Sequence, residues 1–254
     1  MCTGGFQKRN KVSKPGNYTQ REAELRAADY YASIRKPESA WQTIGDLAPQ
    51  LAEFEHRVRA AEHENAARLL EHFDYAYLYR WGYTELLLKL RRELMGHLED
   101  PYLRLANCSS LGLAHYSQNQ VEVSLDFFYQ GLALARQIGD YQIESVQLLR
   151  LGRAYRTLGQ IHQAIELDQL ALQIVRDHNI LETEGEILGN LGHAYNSIGQ
   201  FDAAVECYQQ SLAITQRLGN RLEEGVQTGR LGIAYCRLGR LEDALRYCEM
   251  VSSQ

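Results

Sequence analysis

One five-residue phrase occurs four times along the chain at constant spacing. Leu111-Gly112-Leu113-Ala114-His115 returns as Leu151-Gly152-Arg153-Ala154-Tyr155, then as Leu191-Gly192-His193-Ala194-Tyr195, and last as Leu231-Gly232-Ile233-Ala234-Tyr235. Each step is 40 residues. A fixed period of this size describes stacked supersecondary units, because one such unit cannot bury its apolar face alone and buries it against its neighbours.

The residues around the phrase say what each unit is. Four positions past the last phrase residue stands Asn119, Gly159, Gly199 or Gly239, residue types that tolerate a left-handed backbone and end helices. Five positions further comes a small residue, Ser124, Ala164, Ala204 or Ala244. Apolar residues at helical spacing follow, as in Val205, Tyr208 and Leu212. A second stop stands at Gly139, Asn179 and Gly219. Each unit therefore reads as two antiparallel helices, with Gly152 and Ala164 letting the pair approach closely. Asp100, Asp140 and Asn220 stand where first helices begin and can cap them, whereas the third unit has Ile180 there and no such cap. Pro101 suits the first helical position. Glu144, Glu184 and Glu224 recur near the same helix starts, where negative charge suits the dipole. Sustained alternating Val/Ile/Thr runs are absent, so the expected class is all-α.

This pattern resembles the tetratricopeptide repeat, whose phrase is Trp-x2-Leu-Gly-x2-Tyr, then Ala-x3-Phe, then Pro. Leu191-Gly192-x2-Tyr195 matches, and Ala204-x3-Tyr208 matches with Tyr for Phe. The Trp position instead holds Leu148, Leu188 and Thr228, and the Pro position holds Arg176 and Gln216. The usual unit is about 34 residues, so the longer period implies longer helices. HEAT and armadillo units share this length but lack the Leu-Gly-x2-Tyr phrase. The resemblance covers residues 99–254, in units near 101–140, 141–180, 181–220 and 221–254. It implies a right-handed α-solenoid of antiparallel helix hairpins.

Composition narrows the function. The net charge of −5 and the lack of a basic block disfavour nonspecific nucleic-acid binding. Cysteines at 2, 108, 207, 236 and 248 form no CxxC pair and read as reduced thiols of a cytoplasmic protein. No apolar stretch is long enough for a signal peptide or a membrane span.

Residues 1–19, with Lys8, Arg9, Lys11 and Lys14, read as a loose tail or a small anion-binding arm. Residues 20–98 form a divergent helical region. Helices are expected from Arg21 to about Arg35, ended by Pro37, and from Leu47 to Ala61, with Pro49 in the first turn. Glu62-His63-Glu64-Asn65-Ala66 aligns with Gln200-Phe201-Asp202-Ala203-Ala204, so it reads as a degenerate repeat. Tyr75 to His97 reads as mostly helical, with Tyr75, Tyr77, Tyr79, Trp81 and Tyr83 crowded at its start as packing or as a ligand site. The stretch Tyr30-Tyr31-Ala32-Ser33-Ile34-Arg35-Lys36-Pro37, Trp41 and Asp46-Leu47-Ala48-Pro49-Gln50-Leu51 resembles a lead-in of bacterial STAND-type signalling ATPases. In those a nucleotide-binding switch precedes a C-terminal repeat sensor, which implies that this chain is a sensor arm without its ATPase. No capping helix follows the helix at Leu241–Val251, which fits a fragment, a split gene product or an end covered by a partner.

The first helix of each unit carries a stripe opposite its apolar face: Val146, Arg150, Arg153, Thr157; then Glu186, Asn190, His193, Ser197; then Val226, Arg230, Ile233, Arg237. The first copy gives Ala106, Ser110, Leu113 and Ser117. The family resemblance implies that first helices line a concave groove and that the residue before Leu-Gly contacts an extended peptide. That position holds Ser110, Arg150, Asn190 and Arg230. An Asn amide suits a peptide bond, and Arg suits a carboxylate. Arg150, Arg153, Asn190, His193, Arg230 and Arg237 are accordingly the expected groove residues, for a protein or extended peptide partner of acidic character. No phosphate loop, GxGxxG, HExxH or GxSxG pattern occurs, and the histidines are scattered, so neither an enzyme nor a cofactor or metal site is expected. The rival readings are a structural adaptor that self-associates through its uncapped C-terminal end, and a small-ligand receptor using the aromatic cluster.

Overall fold

The computed structural model describes residues 18–252; the basic segment at Lys8–Lys14 and Cys2 lie outside the described residues. The chain divides between Phe73 and Asp74 into two compact units. In the first, α1 (Gln20–Ser33), α2 (Ala48–Arg59) and α3 (His63–Glu71) pack in sequence, α1 on α2 and α2 on α3. Thr19 and Glu22 form a reciprocal capping box at the start of α1. Pro49 lies in the first turn of α2, where its missing N–H is harmless. Buried Glu53 is held between Arg35 and Arg57, the latter at 2.8 Å. Ala61 has φ 60°, at the position that aligns with Gly199 at φ 79°. The α2–α3 turn thus repeats the backbone geometry of the regular hairpins, without the glycine that would relieve it.

The second unit opens with the stretch expected to be mostly helical, which is helical in two pieces. A single wide turn (Asp74–Tyr79) is followed by Gly82 at φ 83°, and α4 begins only at Thr84 (Thr84–Glu93). The cause is a buried acid. Asp74 pairs with the fully buried Arg91 and accepts a hydrogen bond from Ser110 Oγ at 2.8 Å. Bringing these groups together bends the chain back on itself.

The regular array follows as hairpins α5 (Pro101–Ser117)/α6 (Val121–Ile138), α7 (Tyr141–Thr157)/α8 (Ile161–Asp177), α9 (Leu181–Ser197)/α10 (Phe201–Leu218) and α11 (Arg221–Arg237)/α12 (Leu241–Ser252). Asp100 caps α5 through Tyr102 N–H at 2.9 Å, Asp140 caps α7 through Ile143 N–H at 3.0 Å, and Asn220 caps α11 through Glu223 N–H at 3.2 Å. Each such cap contributes about 1 kcal/mol. Ile180 gives α9 none. Among the described residues there is no strand, and the architecture is an all-α repeat solenoid.

Within each hairpin the phrase glycine faces a residue of the second helix. A Cβ on Gly112 would come within 2.5 Å of the Phe128 ring, and one on Gly192 within 2.6 Å of the Tyr208 ring. The ring lies flat on the glycine backbone, which is why that position has no side chain. Between hairpins, two polar clasps recur. The phrase tyrosine meets the preceding second helix: Tyr129 Oη with Tyr155 Oη at 2.8 Å, Gln169 Nε2 to Tyr195 Oη at 2.9 Å, Gln209 Nε2 to Tyr235 Oη at 2.9 Å. Glu144, Glu184 and Glu224, besides sitting in the first turns, accept from Arg136, Arg176 and Gln216 at 2.7, 2.8 and 2.9 Å. The apolar seam between these clasps includes Leu148, Leu151, Val175, Ile187 and Leu191, all buried.

Candidate functional site

First helices of successive units touch one another directly. Gln147 of α7 donates to Ser109 of α5 at 2.8 Å. On α9 the close neighbours are from α11: a Cβ on Gly189 would meet Gln227 Nε2 at 2.6 Å and Arg230 Nη1 at 3.2 Å. The expected stripe therefore runs along a row of adjoining helices, and two cavities open on that row. One, of about 120 Å³, is bordered by Tyr75, Tyr79, Leu113, Tyr116, Arg150 and Arg153. The other, of about 340 Å³, lies among α7, α9, α10 and α11, with Arg153, Arg156, Asn190 and Arg230 among its walls. Arg153 borders both, so the two lie side by side.

The larger cavity has unusual polar chemistry. Asn190 is 8% exposed, and its Nδ2 meets no hydrogen-bond acceptor among the described residues. The buried Nη1 of Arg156 is in the same condition. Buried donors left without acceptors are rare and costly, on the order of 1–3 kcal/mol each. Behind Arg156 stands Asp168, wholly buried, at the position of Phe128 and Tyr208 in the neighbouring hairpins. A Cβ on Gly152 would overlap Asp168 Oδ1, so the carboxyl takes the place of the ring on the glycine. Neither of its oxygens meets a donor among the described residues. Burial pushes this acid up to about 8, against the pull of Arg156 and Arg153 and with the help of Glu186. At neutral pH the protonated form prevails, so this acid offsets little of the arginines' charge.

The same burial acts on the cations. It lowers the Arg150 and Arg156 guanidinium values, with Glu186 and Asp168 respectively acting in the opposite sense. Partial desolvation against the neighbouring helices, with the charges of Arg156 and Arg230, lowers the His193 imidazole value although its side chain reaches solvent. Tyr75 and Tyr79 stack at 5.3 Å beside the half-buried Arg150, which joins the aromatic cluster to the groove.

The structure thus brings Arg150, Arg153, Asn190 and Arg230 onto the cavity walls. His193 is exposed and borders neither cavity, although it lies in the electrostatic reach of Arg156 and Arg230. Arg237 is exposed and borders neither. Ser110, the first copy of the column, is spent on Asp74. Two residues of the site were not on the expected stripe. Arg156 lies one position before Thr157, and Asp168 is on the second helix. The signal for Asp168 was its column: Ala164-x3 leads to an acid where Ser124-x3 and Ala204-x3 lead to rings.

Among the described residues no helix is long and apolar enough to cross a membrane, and no group of three or more His, Cys, Asp or Glu side chains could hold a metal ion. The fold is similar to several solved structures. Aspartyl phosphate phosphatase F from Bacillus subtilis superposes with TM-score 0.65 at 13% identity, over 92% of this chain and 70% of that one. A Rap protein in complex with Competence and Sporulation Factor gives 0.62 at 14% identity, over 91% and 76%. A STAND signal-transduction ATPase with a tetratricopeptide repeat sensor, from Pyrococcus horikoshii, gives 0.56 at 15% identity, over 95% of this chain and 46% of that one. No curated protein sequence matches the chain. Residues 92–252, more than half of the chain, match the MalT-like TPR region, and the chain belongs to that family of tetratricopeptide repeat proteins.

Proposed function

We propose that the row of first helices in the 99–254 array is a non-catalytic recognition surface for a protein or extended peptide, in a cytoplasmic sensor module. The observation that carries this is the pair of buried, unpartnered donors, Asn190 Nδ2 and Arg156 Nη1, at one cavity of about 340 Å³. Such donors call for acceptor oxygens, which a peptide backbone or an acidic side chain supplies. The Rap neighbour held in complex with Competence and Sporulation Factor, and the tetratricopeptide repeat sensor of the STAND neighbour, support the same reading. An array of short synthetic peptides tests it. The wild-type protein retains a subset, and retention falls as salt rises. Asn190→Ala with Arg150→Ala weakens that subset about tenfold, the scale of one to two lost buried hydrogen bonds. Unchanged affinity in the double variant removes the groove from the proposal.

A second reading rests on a separate observation. Leu245 is 63% exposed, whereas its counterparts Ile165 and Val205 are 8% and 7% exposed, covered by the next hairpin. Leu241 is likewise bare. This face suits another helical hairpin, which makes a self-associating adaptor the alternative. Light scattering over a concentration series decides it: a mass that stays monomeric eliminates self-association.

A further inference from the structure

The groove residues were expected to favour an acidic partner, but the walls of the larger cavity carry acids as well. Glu186 and Glu223 face the same space as Arg153, Arg156, Asn190 and Arg230. Glu186 approaches Arg153 only to 3.8 Å, and Glu223 accepts from the uncharged Gln227 amide at 2.6 Å.

We propose that this cavity selects a segment of mixed charge, in which an acidic residue stands two positions from a basic one. The inference rests on the peptide-binding reading and names the class of peptide. The acidic side chain brings its oxygens to the wall formed by Arg153, Arg156, Asn190 and Arg230. A basic neighbour then meets Glu186 and Glu223. In an extended chain, side chains two positions apart lie on one face about 7 Å from each other, a span that a single cavity of this size holds. A run of acids is selected against, because its second carboxylate is set beside Glu186 or Glu223, and like charges in a partly desolvated site repel.

The test uses three fluorescent peptides of equal length in one Gly/Ser host, each charged at the same three alternate positions: Glu at all three, Lys at all three, or Glu, Lys and Glu in turn. Anisotropy titration of the full chain is expected to give the mixed peptide about tenfold tighter binding than either single-charge peptide. In Glu186→Gln with Glu223→Gln, both exposed or half-buried positions, the mixed peptide loses that advantage and the all-Glu peptide gains. A thermal melt of the same variant confirms folding. Equal or tighter binding of the all-Glu peptide to the wild type overturns the proposal. So does an absence of binding by all three while array-selected peptides remain sensitive to Asn190→Ala and Arg150→Ala; the groove reading then survives without it. If array-selected peptides are also insensitive, the groove reading itself fails.

Discussion

Replacing Asp168 with asparagine should stabilise the protein, by an amount set by pH. The folded chain holds this acid at about 8, against an ordinary value of 3.8. Below the ordinary value it is protonated both folded and unfolded, and nothing depends on it. Between the two values the unfolded chain ionises freely and the folded chain does not. Stability is therefore lost as pH rises, by about 1.4 kcal/mol per pH unit. From 3.8 to pH 7 the loss is about 4 kcal/mol, and it levels off above about pH 8. Asparagine matches the shape and keeps a polar group in place, but it cannot ionise, so the variant removes only this pH-dependent part. Thermal unfolding followed by circular dichroism is the assay. Near pH 4 the two proteins should melt together; at pH 7 the variant should melt higher by about 8–16 °C. A difference that does not change between those pH values would mean that Asp168 is not held neutral, and the account of the cavity's charge would fall with it.

Two further substitutions probe the packing. Gly192→Ala drives a methyl group into the Tyr208 ring and should cost about 1–3 kcal/mol, whereas Gly232→Ala meets nothing nearer than Cys248 Sγ at 3.4 Å and should be neutral or stabilising by up to about 1 kcal/mol; urea unfolding of the two variants side by side checks the contrast. Asp74→Ala leaves Arg91 buried without its partner and should destabilise by about 3–5 kcal/mol in the same assay.

The elements that sequence revealed are those governed by short-range chemistry. Asn119, Gly159, Gly199 and Gly239 all adopt positive φ because each ends a helix at a tight reversal. The caps at Asp100, Asp140 and Asn220, and the lack of one at Ile180, follow from side chains within three residues of the helix start. The break before α4 was not legible, since it depends on Asp74 meeting Arg91 seventeen residues away and Ser110 thirty-six away. The burial of Asn190 was equally hidden. Asn190 reads as an open groove residue, but Gly185 and Gly189 let α10 and α11 close around its helix. Arg156 and Asp168 occupied a middle ground. Each looks ordinary alone, and only the comparison of equivalent positions shows an acid where two neighbours have rings.

The two clasps between hairpins recur at the same offsets from Tyr129–Tyr155 to Gln209–Tyr235 and from Arg136–Glu144 to Gln216–Glu224. The fastening therefore belongs to the joint and not to any one hairpin. Duplication or excision of a whole 40-residue block leaves every clasp matched, while an indel of a single residue strands both donors and acceptors at once. Such a chain can change its reach in evolution by whole modules, and the length of its row of first helices can drift without the joints being redesigned.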